Sequence, residues 1–255
     1  MSSASPGNSA RFAEWPVANG GTPAATWLRW HREFPELNLD YCPGLVLVAP
    51  HPDDETLGFG ATAATLQARG VDVQVVSVTD GGGAHPNLSR RERTWLQNDR
   101  RAELQRATQI LGLSAPVSLG LPDGELSANE PELTAFLTGL LEAMPRGTWC
   151  AATWRGDGHP DHEAVGRSSA VAAETTGATL LEYSVWMWHW ARPDDDAVPW
   201  HRMSAIRADR AALGRKQHAI RAFRTQLTPY EPGADPILPP FAVQRLLAVG
   251  EAVFR

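Results

Sequence analysis

Two stretches of this chain set an imidazole three residues before a second metal-capable side chain, each shortly after an apolar run. Leu45-Val46-Leu47-Val48-Ala49-Pro50 leads into His51-Pro52-Asp53-Asp54-Glu55. Trp149-Cys150-Ala151-Ala152-Thr153-Trp154 leads through Arg155-Gly156-Asp157-Gly158 into His159-Pro160-Asp161-His162. Side chains three apart can point the same way at the start of a helix, and proline suits the first helical position. Two such half-sites at the carboxyl ends of strands of one sheet would converge where open α/β sheets place their chemistry.

His51, Asp54 and one histidine of the second block would supply two nitrogens and one carboxylate oxygen, a set that suits zinc with a coordination position left open. Zinc lowers the pKa of a coordinated water to about 7, so it supplies a nucleophile near neutral pH. Asp53, beside the ligands, is the candidate base. The spare histidine would stabilise a developing oxyanion. Asp161 would hold that histidine through a carboxylate–imidazole hydrogen bond and raise its pKa. A single His-Pro-Asp is more often a turn in which Asp caps a helix. Two blocks, each after a strand and each with a second ligand type, argue for a site.

The elements around these blocks alternate. Strands are expected at Leu45–Ala49, Val71–Val78, Val117–Leu121, Trp149–Trp154 and Ala178–Ser184. Helices are expected at about 56–69, 89–111 (closed by Gly112), 131–143, 162–175 and 209–223, with a final helix at about 241–254. This order predicts an α/β fold: a doubly wound, mostly parallel, Rossmann-like sheet with helices on both faces. Residues 1–12 read as a disordered tail and 13–255 as a single domain. At 255 residues the chain is long enough for a full core. A net charge of −6 argues against a nucleic-acid binder. No apolar run is long enough to span a bilayer, the first residues lack a signal-peptide pattern, and cytoplasm is the expected compartment. Cys42 and Cys150 suggest no disulfide framework.

Ala49-Pro50-His51-Pro52-Asp53-Asp54-Glu55 with Gly58 and Gly60, paired with His159-Pro160-Asp161-His162, resembles the zinc-dependent N-deacetylases of the LmbE/PIG-L type. The resemblance implies one zinc ion per chain, held by His51, Asp54 and His162, with Asp53 as general base. It makes His159 the oxyanion-stabilising or acid group, oriented by Asp161. It sets Arg100 at a sugar-binding arginine and Asp123 at a carboxylate that binds substrate hydroxyls. The implied substrate is a small N-acylated amino sugar. Two departures stand out. Phe223-Arg224-Thr225-Gln226 lacks the histidine the family often carries near there, and Asp157 stands where mycothiol-pathway deacetylases have tyrosine. A metal-dependent esterase or amidase on a non-sugar substrate, and a non-catalytic carbohydrate-binding protein, are the competing readings.

Other features read as structural. Gly81-Gly82-Gly83 matches no phosphate-loop pattern and suits a flexible rim. Ser89-Arg90-Arg91-Glu92-Arg93 reads as the solvated start of a helix, and Asp194-Asp195-Asp196 as a hydrated loop. Trp186, Trp188 and Trp190 alternate, so as a strand they would share a face, set against substrate or in packing.

Overall fold

The computed structural model describes residues 7–85 and 87–255. In chain order the elements are α1 (Asn8–Glu14), α2 (Ala24–Leu28), β1 (Leu45–Ala49), α3 (Asp54–Ala68), β2 (Val73–Thr79), α4 (Arg90–Leu111) and β3 (Val117–Leu121). They continue with α5 (Glu130–Glu142), β4 (Trp149–Thr153), α6 (Pro160–Thr176), β5 (Thr179–Tyr183) and α7 (Met187–Trp190). The chain ends with β6 (Met203–Ile206), α8 (Arg210–Ile220), α9 (Arg224–Leu227), α10 (Pro240–Val249) and β7 (Glu251–Phe254).

Among the described residues the strands form one sheet in the order β3-β2-β1-β4-β5-β7-β6. The first five are parallel, and β7 runs antiparallel to both of its neighbours, β5 and β6. Every side chain of β1 is buried, as in an interior strand covered on both faces. Its residues alternate between two cores: Leu45 and Leu47 face one, Val46 and Val48 the other. Chain order reverses at β1, which pairs with both β2 and β4. The loops after β1 and β4 therefore open into one crevice at the topological switch point. Both His-Pro-Asp blocks lie there.

Local signals end the helices where expected. Ser89 accepts a hydrogen bond from the Glu92 amide while Glu92 reaches back to Ser89, a capping box that starts α4. Gly112 closes α4 with φ 80°. Gly58 in α3 is required for a different reason. A Cβ there would collide with the Tyr183 ring, whose hydroxyl donates to the Val48 carbonyl.

Three expectations are corrected. The tail expected over 1–12 is helical from Asn8 and packs Phe12 5.3 Å from Trp186; residues 1–6 lie outside the described residues. The segment with Trp186, Trp188 and Trp190 is no strand, because it turns into α7. Trp188 and Trp190 are buried there, with Trp188 edge-on to Trp27 at 5.1 Å. The final helix stops at Val249. After Gly250 the chain becomes β7, which inserts between β5 and β6. No described helix is long and apolar enough to cross a membrane.

Candidate metal centre and active-site pocket

The two blocks enter their helices in different phases. After Pro52, Asp53 takes φ 138°, a left-handed conformation that strains a non-glycine residue, and Asp54 opens α3. After His159, Pro160 is helical at once, so His159 caps α6 and His162 lies in its first turn. The outcome is one cluster. Ligand atoms of His51, Asp54 and His162 all lie within 4.8 Å of one another. His51 Nδ1 and His162 Nε2 are each 3.2 Å from Asp54 Oδ2.

The donor set fits a divalent ion. His162 Nε2 is buried with no hydrogen-bond partner. His162 Nδ1 faces Asp157 Oδ2 at 2.8 Å, which holds a proton on Nδ1 and turns Nε2 into the cluster, where a metal ion would displace any proton it carries. Asp157 is in turn locked by the amides of Val185, Trp186 and Met187 at 2.9–3.0 Å. Burial pulls the His162 imidazole down, but the Asp54 and Asp157 carboxylates outweigh it and hold it up to about 9. Burial pushes the Asp54 carboxyl up, yet His162 and His51 carry it well below the usual carboxylate range.

Asp53 and Arg100 form a second unit. Arg100 is buried, and its guanidinium donates to the carbonyls of Gly81 (3.0 Å) and Pro52 (2.9 Å) and to Asp53 Oδ2 (3.4 Å). The Asp53 amide donates to Glu55 Oε2 at 3.1 Å. These bonds brace the strained residue from both sides. Burial raises the Asp53 carboxyl well above its ordinary value, and the Arg100 charge opposes that rise. Arg100 lines the pocket, but these donors engage the protein rather than a ligand.

Asp161 does not do what the sequence suggested. Its carboxylate accepts from the amides of Gly124 (2.7 Å) and Leu126 (3.2 Å) and lies 3.4 Å from His51 Nε2. The expected carboxylate–imidazole pair with His159 is absent; His159 Nδ1 instead accepts the Asp161 backbone N–H at 3.2 Å. The helix phase is the reason, since a capping residue bonds the amide two positions on and not that residue's carboxylate. Burial, then the imidazoles of His162 and His51, push the His159 ring down to about 3, opposite to the expected direction. Asp123 Oδ1 meets His51 Nε2 at 3.0 Å, and Asp123 Oδ2 accepts from the Gly83 amide at 2.6 Å. Burial lowers the His51 imidazole, but Asp123, Asp161 and Asp54 together hold it well above its ordinary value. His51, Asp123 and Asp161 make a second group of close ligand atoms. The first group is the better candidate for a metal, because of the two it alone contains His162 Nε2, a buried nitrogen without a hydrogen-bond partner.

A cavity of about 440 Å³ opens over this cluster. His51, Asp53, Asp54, Asp123 and His159 line its polar side, and Gln226 of α9 and Gly83 of the glycine loop reach its edge. Of the tryptophan trio, only Trp186 lines it. The aspartate run is structural, with Asp194 paired to Arg32 and Asp195 to Arg11. Asp157 is the residue whose contribution sequence reasoning missed. Its signal was a carboxylate five positions before a candidate ligand histidine, a spacing that no local rule connects.

Residues 46–173 match the family model described as PIG-L, GlcNAc-PI de-N-acetylase. The chain is similar to a 1D-myo-inositol 2-acetamido-2-deoxy-alpha-D-glucopyranoside deacetylase of Nocardia farcinica, 31% identical over 67% of this chain and 64% of that protein. It is also similar to a diacetylchitobiose deacetylase of Thermococcus kodakarensis, 30% identical over 48% of this chain and 46% of that one. The chain thus spans about half to two thirds of the length of the curated relatives it matches. A crystal structure of a conserved protein from Thermus thermophilus superposes with TM-score 0.57 at 25% identity, covering 79% of this chain and 84% of that one.

Proposed function

From the premise that this chain belongs to the PIG-L, GlcNAc-PI de-N-acetylase, family, we propose that it is a zinc-dependent hydrolase that removes an N-acetyl group from an amino-sugar substrate. The observation that carries the reading is the unpartnered His162 Nε2 beside His51 and Asp54, next to a strained carboxylate at the floor of an open pocket. The names of the relatives, which act on N-acetylated amino sugars, support the choice of bond.

His51, Asp54 and His162 would hold the ion. When bound, it supplies a Lewis acid that polarises the amide carbonyl and activates water. Asp53 takes the proton of the attacking water and passes it to the departing nitrogen. The carbon–nitrogen bond breaks to give free amine and carboxylate. His159 faces the pocket and its Nδ1 already accepts a backbone N–H, so a neutral ring carries its proton on Nε2. It would donate that hydrogen to the developing oxyanion without being an imidazolium. Asp123 and Asp161 orient His51, and Arg100 holds Asp53 in place.

Purified protein loaded with one equivalent of zinc should release amine and acetate from N-acetylglucosamine glycosides. Rapid hydrolysis of simple acyl esters with the amides untouched would replace this reading by an esterase. Metal binding with no turnover on either class would leave a binding protein.

A further inference from the structure

The pocket lining mixes polar groups with large apolar side chains. Beside its polar groups the pocket is lined by Phe12, Val17, Trp186, Ile237 and Leu238, whose side chains offer no carboxylate, amide or hydroxyl to a sugar. We propose that these five side chains form a subsite for an apolar group carried by the amino-sugar substrate, as its aglycone or as its acyl chain. The proposal rests on the deacetylase reading and specifies its substrate class.

Its strongest support is the way α1 is fastened. No residue of that helix is fully buried; Phe12 packs, partly buried, against the edge of the core. Yet three polar contacts from its first turn pin it, two beside the second His-Pro-Asp block and one to the 194–196 loop. Asn8 Nδ2 donates to the Gly156 carbonyl (2.8 Å), Ser9 Oγ to Glu163 Oε2 (3.0 Å), and Arg11 pairs with Asp195 (3.2 Å). The result is to hold the Phe12 ring 5.3 Å from Trp186 and 6.2 Å from His159. An aromatic pair left lining an open cavity is costly in water and becomes favourable once an apolar ligand covers it. A cavity of about 440 Å³ is of a size that takes a drug-sized ligand, with room beyond one sugar ring. All five residues lie outside the 46–173 stretch that matches the family model, so this wall is built by the chain's flanking segments.

The test uses the full zinc-loaded chain with N-acetylglucosamine, its phenyl β-glycoside, N-hexanoylglucosamine and N,N'-diacetylchitobiose. Calorimetry gives Kd and amine release gives kcat/KM. One of the two apolar derivatives should bind roughly ten-fold tighter than N-acetylglucosamine, and which one does identifies aglycone or acyl chain. Phe12→Ala and Trp186→Ala should each remove most of that advantage and leave the parent sugar's Kd little changed. Phe12 is only partly buried, on a helix with no fully buried residue, so Phe12→Ala keeps the test valid if Trp186→Ala misfolds. The subsite is overturned if neither derivative binds better, if the chitobiose binds best, or if the advantage survives the Phe12 change. Preference in binding without amine release would sink the deacetylase reading and leave the subsite. Amine release without preference would do the reverse, and neither binding nor release would end both.

Discussion

Asp157 Oδ2 stands 2.8 Å from His162 Nδ1, and both side chains are fully buried. The pair sets the tautomer of a candidate metal ligand and links it to the start of α7 through three backbone amides. Outer partners of this kind raise the basicity of a ligating imidazole and fix its orientation. Asp157→Ala should therefore weaken zinc binding by about 10–100-fold. Chelator competition on folded protein checks this, and unchanged affinity would dismiss the pairing as incidental.

Asp53 is a carboxylate at the floor of the pocket that the proposed metal set leaves unused. Asp53→Asn should keep a full equivalent of zinc and lower kcat by on the order of 10²–10⁴-fold. His51→Ala and His162→Ala should instead lose the metal. Elemental analysis beside single-turnover rates separates the two behaviours, and near-normal kcat in the Asn variant would move the base elsewhere.

Arg100 offers a sharper contrast, because a sugar-binding arginine and a brace for Asp53 predict different kinetics. As a brace, Arg100→Met lowers kcat and leaves KM little changed; as a sugar contact it raises KM. There is also a pH signature. Burial raises the Asp53 carboxyl and the Arg100 charge opposes that rise. Removing the charge must push the pKa higher still, so the base is protonated at higher pH and the acid limb of activity shifts upward. A raised KM with an unmoved acid limb would restore the sugar-binding role.

Lys216 and Glu251 form a buried ion pair at 2.7 Å that clasps the middle of α3. Lys216 donates to the Leu57 carbonyl, and Glu251 accepts from the Ala61 and Thr62 amides. Breaking a buried pair strands a charge, at a cost of about 3–5 kcal/mol. Lys216→Met should lower stability by that order in urea unfolding. A loss under about 1 kcal/mol would mean the carboxylate is satisfied by the α3 amides alone.

Burial pushes the Cys42 thiol up to about 11 and the Cys150 thiol up to about 12. The thiolate is the reactive form, so at pH 8 both should resist iodoacetamide in the folded protein and react on unfolding. Mass spectrometry of native and urea-treated samples decides it. Fast native labelling of Cys150 would contradict its full burial.

Much of the scaffold was legible because its signals are local. β1 and β3 fall on the predicted residues, and α4 starts and stops at Ser89 and Gly112. Apolar runs, a capping box and a terminal glycine each act within a few residues of where they stand. The convergence of the two His-Pro-Asp blocks followed from strand-end placement, a rule of parallel sheets as such, whereas the choice of His162 over His159 came from the family resemblance.

What the sequence could not decide depends on contacts between distant segments. Glu251–Phe254 is strand because β5 and β6 leave a gap that it pairs into. Trp186–Trp190 coils because Asp157, some thirty residues away, holds the amides that begin α7. The same His-Pro-Asp text gave two geometries. Asp53 could take its strained φ where Arg100 and Glu55 brace it, whereas His159 stepped straight into a helix and left Asp161 to His51 and the 124–126 turn. Spacing along the chain names the residues able to do the chemistry. Which of them touch is decided by packing, because a side chain's partners lie in other segments and only the folded core fixes where those segments stand.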